Sequence, residues 1–315
     1  MRKLPPTCAR VILSTSYPNP DMDGTACAVA YAELLTAQGK EAVAAISGPP
    51  HIEARHVLGE LGMDIPTALP AYDEVAILDV CRYDQLDPAI AAEDVITVID
   101  HRRGGVPEDF PHAKDWQVEL VGAAATLVYE RWRDADLTPS ANSAKLLQAA
   151  ILSNTVNLKA AVTTERDHVA MAALSEIAPL GDGFAHRMFQ AKSDMAGPKL
   201  REALYADKSR FEANGWSITF FQLEIIGTQE LLETREQEIR EIIASSGSDR
   251  ALLSLLDIER GTTILLIPNA DFAEMAGQAL SCAFDQAGIA TLDRIMMRKE
   301  VRPAIQAYFG EAALA

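Results

Sequence analysis

The stretch "RVILSTSYPNPDMDGTACAVAYAELLTAQG" (residues 10–39) decides the fold. Its first seven residues form an apolar run that stops at a turn rich in proline and asparagine, which is how a strand ends. From Gly24 small and apolar residues predominate as far as Gly39, so the strand feeds a helix that closes there. Between the two stand Asp21 and Asp23, one residue apart. Carboxylates that close repel unless a cation sits between them or both point into water.

The same rhythm repeats downstream. "EAVAAIS" (41–47), "EVAILDV" (74–80) and "DVITVIDH" (94–101) are further short apolar runs. Runs of this kind suit strands buried on both faces, hence a parallel sheet with helices on each side. Helices are expected over 122–133, 140–155 and 165–178. Residues 179–199 carry Gly181, Gly183, Gly197 and Pro198 and read as a hinge. Beyond it the pattern restarts with the strand "WSITFFQLEII" (216–226) and an amphipathic helix over 228–246, with Leu231, Ile239 and Ile242 on one side. Strands at 249–259 and 262–268 meet at the turn Arg260-Gly261, and a helix is expected over 271–288. The fold class is therefore α/β. A parallel-sheet N-terminal domain spans 1–180, a hinge 181–197, and a smaller mixed α/β C-terminal domain 198–315.

Bulk properties narrow the function. A chain of 315 residues, 49% hydrophobic and 23% charged, is globular and too long for one ordinary core. Its net charge of −17 argues against binding duplex nucleic acid or anionic membranes. An anionic substrate stays open, because a metal or a local basic cluster reverses the field inside a site. The four cysteines, Cys8, Cys27, Cys81 and Cys282, form no CxxC pair and read as reduced thiols. With no signal peptide or membrane span in the sequence, the expected location is the cytoplasm. The oligomeric state, a homodimer included, stays open.

The chemistry gathers at strand ends. Asp21 and Asp23 follow the first strand, Asp79 ends the third, and Asp100 with His101 ends the fourth. "AAILSNTVNL" (149–158) closes a helix with Asn154 and Thr155. In a parallel sheet the carboxyl ends lie along one edge, where ligands bind. Taken singly, an aspartate at such a place is a turn or cap residue. Taken together, oxygen donors with one imidazole suit Mn²⁺ or Mg²⁺ rather than a thiolate zinc site. Spacing alone leaves both readings standing.

"NPDMDG", "AILDV", "VIDHR" and "GAAATLVYERW…AAILSNTVNL" resemble the four motifs of the DHH phosphoesterase superfamily. "RMFQAKSDMAG", "FEANGWSITFFQLEI" and "RIMMRKEVRPAI" resemble the lid domain of family II inorganic pyrophosphatases and related exopolyphosphatases. The GGGH-type motif of the branch acting on oligonucleotides and cyclic dinucleotides is not seen. The resemblance covers nearly the whole chain and implies a pair of Mn²⁺, Co²⁺ or Mg²⁺ ions sharing one aspartate, with a bridging hydroxide as nucleophile. By position, Asp79 is the shared ligand, Asp21 serves the first ion, and Asp23 and His101 serve the second. Arg298 and Lys299 grip the outer phosphate from the lid, with Lys192 or Lys199 as a third contact.

Three positions depart from the family pattern. Tyr17 stands at the place of a metal-binding histidine, Arg102 replaces the second histidine of the DHH triplet, and Asn154 replaces an aspartate. Losing one imidazole and one carboxylate predicts weaker, single-ion occupancy. Arg102 brings a permanent charge that can hold a phosphate bidentately. The expected function is hydrolysis of a phosphoanhydride, polyphosphate or pyrophosphate, by metal-activated water in the cleft between the domains, with Asp79, His101 and Arg102 as the catalytic set. The alternative is a degenerate member that binds a phosphorylated ligand or nucleotide with little hydrolysis. Attack on a nucleotide phosphodiester would need a stacking surface, for which Trp216 and Phe220 are the candidates among only 6% aromatic residues.

Overall fold

The computed structural model describes residues 10–312, which leaves Cys8 outside. The chain divides into two compact units. The first runs to Leu158 and includes 162–191; the second takes Lys159–Ala161 and the chain from Lys192 onward.

The first unit holds β1 (Val11–Thr15), α1 (Met22–Ala37), β2 (Glu41–Ala44), α2 (Ile52–Glu60), β3 (Glu74–Leu78), β4 (Val95–Asp100) and β5 (Asp115–Val118). Helices α3 (Ala124–Asp134), α4 (Ala141–Asn154), α5 (Glu165–Ile177) and α6 (Phe184–Lys192) complete the order. The five strands are all parallel, in the order β2-β1-β3-β4-β5. Every residue of β1 is buried, as a strand covered by helices on both faces requires. The edge strands β2 and β5 are short and half-exposed, so their composition carries little apolar signal, and the sequence did not reveal β5 or α2. Because β1 lies between β2 and β3, the strand order reverses there. The carboxyl ends of β1 and β3 flank the switch point where open α/β sheets bind ligands.

α1 is buried almost all round. Its alanines let neighbouring helices approach closely, and Trp132 Nε1 of α3 donates to the Ala30 carbonyl at 3.2 Å. Such a helix has no amphipathic stripe, because water meets little of its surface.

The second unit holds α7 (Lys199–Ala206), β6 (Lys208–Ala213), β7 (Trp216–Ile225), α8 (Thr228–Ala244), β8 (Arg250–Asp257), β9 (Thr262–Leu266), α9 (Ala270–Leu280), β10 (Ile289–Leu292) and α10 (Arg298–Ala312). The sheet order is β10-β9-β8-β7-β6, with β7 and β8 parallel across α8 and the other pairs antiparallel. Period-two alternation splits its strands between two cores. Phe221, Leu253 and Leu255 pack with Ile239 and Ile242 of α8. Phe220, Leu252 and Leu265 pack with Phe272 of α9 and Val301 and Ile305 of α10. That burial removes Phe220 from any nucleotide-stacking surface.

One expectation needs correcting. The helix expected over 271–288 stops at Leu280, where Ser281 turns left-handed (φ 54°) and Cys282 N–H bonds the Gly277 carbonyl at 3.0 Å. An Asp285–Gly288 turn then returns the chain as β10, so the edge of the sheet claims residues that look helical by composition. The stretch read as a hinge contains α6, whose Phe184, Met188 and Phe189 are buried.

Candidate metal centre

Asp21 is the N-cap of α1: its Oδ1 accepts from the backbone N–H groups of Asp23 and Gly24, both at 3.0 Å. This satisfies donors that a helix start leaves orphaned. Gly24 is required here, since a Cβ on it would lie 2.4 Å from Ser16 Oγ at the end of β1. Asp23 turns the other way and is fully buried. Its Oδ2 accepts from Ala124 N–H at 2.7 Å and from the Asn154 side-chain amide at 2.5 Å. Its Oδ1 accepts from Ala125 N–H at 2.9 Å, with the Cys27 thiol at 3.3 Å. The carboxylate therefore rests on the N-terminus of α3, where the helix dipole favours negative charge. The two aspartates are kept apart by facing different helix starts.

Asp79 leaves β3 in the left-handed region (φ 56°), uncommon for a non-glycine residue, with its N–H on the Ile99 carbonyl at 2.7 Å. The side chain is 1% exposed, and neither carboxylate oxygen has a hydrogen-bond partner. Its near neighbours at Oδ1 are His101 Nε2 at 3.4 Å and Arg102 Nη2 at 3.1 Å, an ion pair outside hydrogen-bond geometry. Burial pushes the Asp79 carboxyl well above the usual carboxylate range; Arg102 opposes the shift, and the charges of Asp23 and Asp21 add to it.

His101 lies 3.0 Å through Nδ1 from the Val121 carbonyl. A carbonyl only accepts, so Nδ1 carries the proton and Nε2 faces the carboxylates, 3.4 Å from Asp79 and 4.0 Å from Asp23. This is how an outer contact fixes the tautomer of a ligating histidine. Ligand atoms of Asp23, Asp79 and His101 all lie within 4.8 Å of one another. Two buried carboxylates, one of them without donors, and an imidazole nitrogen facing them make a donor set for one divalent cation such as Mn²⁺ or Mg²⁺. Asp100 orients rather than ligates. Its Oδ1 accepts from His101 N–H at 2.7 Å and from Arg102 N–H and Nε at 3.1 Å.

Asp23, Asp79 and His101 thus come together, whereas Asp21 commits Oδ1 to the helix cap and is not part of that trio. Tyr17 is half-buried beside the site. Its hydroxyl accepts from Asp21 N–H at 3.2 Å, and the Arg102 guanidinium carbon sits 5.7 Å from its ring centroid. Burial, then the charges of Asp21 and Asp79, hold the phenol well above its ordinary pKa, so it stays neutral. Burial also works against the Arg102 charge, but Asp79 and Asp100 outweigh it and raise its pKa. In the second unit, Arg298 opens α10, donates its N–H to Gln222 Oε1 at 2.7 Å and pairs with Asp207 Oδ1 at 2.6 Å. Lys299 is exposed. Lys192 stands 3.9 Å from Glu224, and Lys199 pairs with Asp194.

The sequence reading missed Asp167. Buried in the first turn of α5, it accepts from Gly122 N–H at 2.9 Å, Thr126 Oγ1 at 2.6 Å and Thr164 N–H at 2.7 Å. It pins the loop whose next residues hold Asp23. The signal was present as a Thr164-x-x-Asp167 capping box.

A five-stranded parallel sheet with a buried carboxylate–imidazole site at its switch point, followed by a mixed-sheet unit, defines a two-domain α/β protein with a divalent-metal centre. Residues 186–308 match the DHHA2 domain. A Deinococcus radiodurans protein named as a probable manganese-dependent inorganic pyrophosphatase is 32% identical over 94% of this chain and 98% of its own. A manganese-dependent inorganic pyrophosphatase of Methanothrix thermoacetophila is 28% identical over 95% and 98%. In structure, a Methanococcus jannaschii protein assigned to family II inorganic pyrophosphatases superposes with a TM-score of 0.69 at 24% identity, covering 96% of this chain and 99% of that one. An exopolyphosphatase-related protein of Bacteroides fragilis gives 0.51 at 11%, covering 97% and 93%. The chain belongs to the manganese-dependent inorganic pyrophosphatase family.

Proposed function

We propose that this chain hydrolyses a phosphoanhydride of the pyrophosphate type, with a divalent ion, Mn²⁺ first, held by Asp23, Asp79 and His101. The observation that carries the reading is the buried Asp79 carboxylate, with no hydrogen-bond donor on either oxygen and His101 Nε2 facing it. The names of its full-length relatives supply the substrate class. Bound there, the ion supplies Lewis acidity toward a phosphoryl oxygen and lowers the pKa of water.

The protein groups have separate tasks. Val121 and Asp100 orient His101, while Asn154 and the α3 N-terminus hold Asp23. Arg102, half-exposed beside Asp79, is placed to meet a phosphoryl oxygen as charge develops. Arg298 and Lys299 take the remote phosphate. The substrate is a small phosphate-containing anion, and a net charge of −17 disfavours duplex nucleic acid and anionic membranes. Among the described residues no helix is long and apolar enough to cross a membrane, and the cytoplasm is the proposed place of action.

A non-hydrolytic phosphate-binding role would be favoured if Tyr17 and Asn154 turned away from the site. Asn154 keeps its amide N–H₂ on Asp23 Oδ2, and Tyr17 accepts from Asp21 N–H, which supports the hydrolytic reading. The test is phosphate release from pyrophosphate and tripolyphosphate with Mn²⁺, Co²⁺ or Mg²⁺. Asp79→Asn should lose at least ~100-fold in kcat/KM while keeping its far-UV spectrum, the scale seen when a group acting in the transition state is removed. Wild type without turnover on either substrate with any of these ions, or an Asp79→Asn variant as fast as wild type, rules the reading out.

A further inference from the structure

We propose that Arg102 is the built-in second cation of this site, so the chain takes a single divalent ion, at Asp23, Asp79 and His101. The inference rests on the metal reading above and specifies it.

Asp79 Oδ1 has two near neighbours. His101 Nε2 lies 3.4 Å away and is itself 4.0 Å from Asp23 Oδ2. Arg102 brings the permanent positive charge: its Nη2 lies 3.1 Å from the same oxygen and donates to the Asp79 carbonyl. The guanidinium is fixed elsewhere too, with Nε on Asp100 Oδ1 at 3.1 Å and its carbon 5.7 Å from the Tyr17 ring centroid. Planar, always charged and held on several sides, it offsets part of the Asp79 charge without metal. A second divalent ion on this side would meet a like charge at contact range. It would also find a poor donor there in Tyr17, a neutral phenol whose oxygen already accepts from Asp21 N–H. The positive charge that a second ion would bring is thus covalently present, and it carries donors suited to a phosphoryl oxygen.

The experiment is Mn²⁺ titration of the metal-free protein by calorimetry, with electron paramagnetic resonance of the loaded sample. Wild type should bind one Mn²⁺ per chain and give an isolated six-line spectrum. Arg102→Lys, which keeps the charge, should also bind one. Arg102→Ala should bind the first ion about tenfold more tightly, because its competitor for Asp79 is gone, or take up a second. Tyr17→His with Arg102→His should bind two ions and show an exchange-coupled signal. Circular dichroism confirms that each variant is folded; should Arg102→Ala fail that check, Arg102→Lys and the double variant decide. Two Mn²⁺ per wild-type chain with a coupled spectrum overturns the proposal. So does a folded Arg102→Ala with wild-type stoichiometry and affinity. A wild type that binds no Mn²⁺ overturns the metal reading itself, a result distinct from either.

Discussion

Asp79 stores free energy in the metal-free protein. A buried carboxylate without donors costs on the order of 1–3 kcal/mol or more, and its left-handed backbone adds strain. Its folded-state pKa lies above the ordinary value, mainly through burial. The sign follows: this group's contribution to stability is fully present below the ordinary carboxylate pKa and is lost as pH rises through the raised one. A cation at the site cancels that loss. Melting curves in EDTA and in Mn²⁺ at pH 5, 6, 7 and 8 should therefore diverge as pH rises. Asp79→Asn should abolish most of the divergence and melt above wild type in EDTA by several degrees, at roughly 2–4 °C per kcal/mol. A gap that narrows toward pH 8 would contradict this account. At this scale much was legible in the sequence. Strand-end positions pick out Asp23, Asp79 and His101, because a parallel sheet puts those ends on one edge. The split of labour between Asp21 and Asp23 was not legible, since which carboxylate caps and which is buried depends on where the N-terminus of α3 lies.

Elements hold the site through backbone donors. Ala124 and Ala125 present their N–H groups to Asp23 only while the start of α3 stays put, and Asp167 keeps it there through Gly122 and Thr126. Space is tight: a Cβ on Gly122 would lie 2.5 Å from Thr155 Cγ2 and 2.7 Å from Asp167 Oδ2. Asp167→Ala, which touches none of the ligand atoms, should weaken Mn²⁺ binding by ~10–100-fold, the range for outer groups that orient metal ligands. It should also lower the melting temperature. Asp167→Asn, keeping one acceptor oxygen, should recover part of both. Unchanged Mn²⁺ affinity in a destabilised Asp167→Ala would confine the residue to folding. The buried strands and helices α1, α3, α4, α5 and α8 were legible in the sequence, whereas α10 was not. Nor were the edge strand β5 and helix α2, because half-exposed elements show mixed composition, and α9 read too long because sheet-edge pairing overrides helical preference.

The division into a parallel-sheet unit and a mixed-sheet unit follows from the restart of the pattern beyond residue 199. In the second unit, the cations proposed to hold an outer phosphate are already committed to carboxylates of their own. Arg298 pairs with Asp207 at 2.6 Å, with side chains 30% and 44% exposed. An ion pair this open is worth no more than about 1 kcal/mol, so an incoming phosphate can displace Asp207 at small cost. If Arg298 holds the substrate as proposed, the pair sets affinity rather than chemistry. Arg298→Ala removes the grip and should raise KM for pyrophosphate by about 5–20-fold with kcat within a few fold, the pattern expected when uniform binding is lost. Asp207→Asn removes the competitor and should lower KM by about two- to fivefold, since up to ~1 kcal/mol is released. The opposite signs separate substrate grip from folding, because a purely structural ion pair would respond alike to loss of either partner. If both substitutions left KM unchanged, Arg298 would have no part in holding the substrate, and Lys299 would be the remaining candidate in that turn of α10.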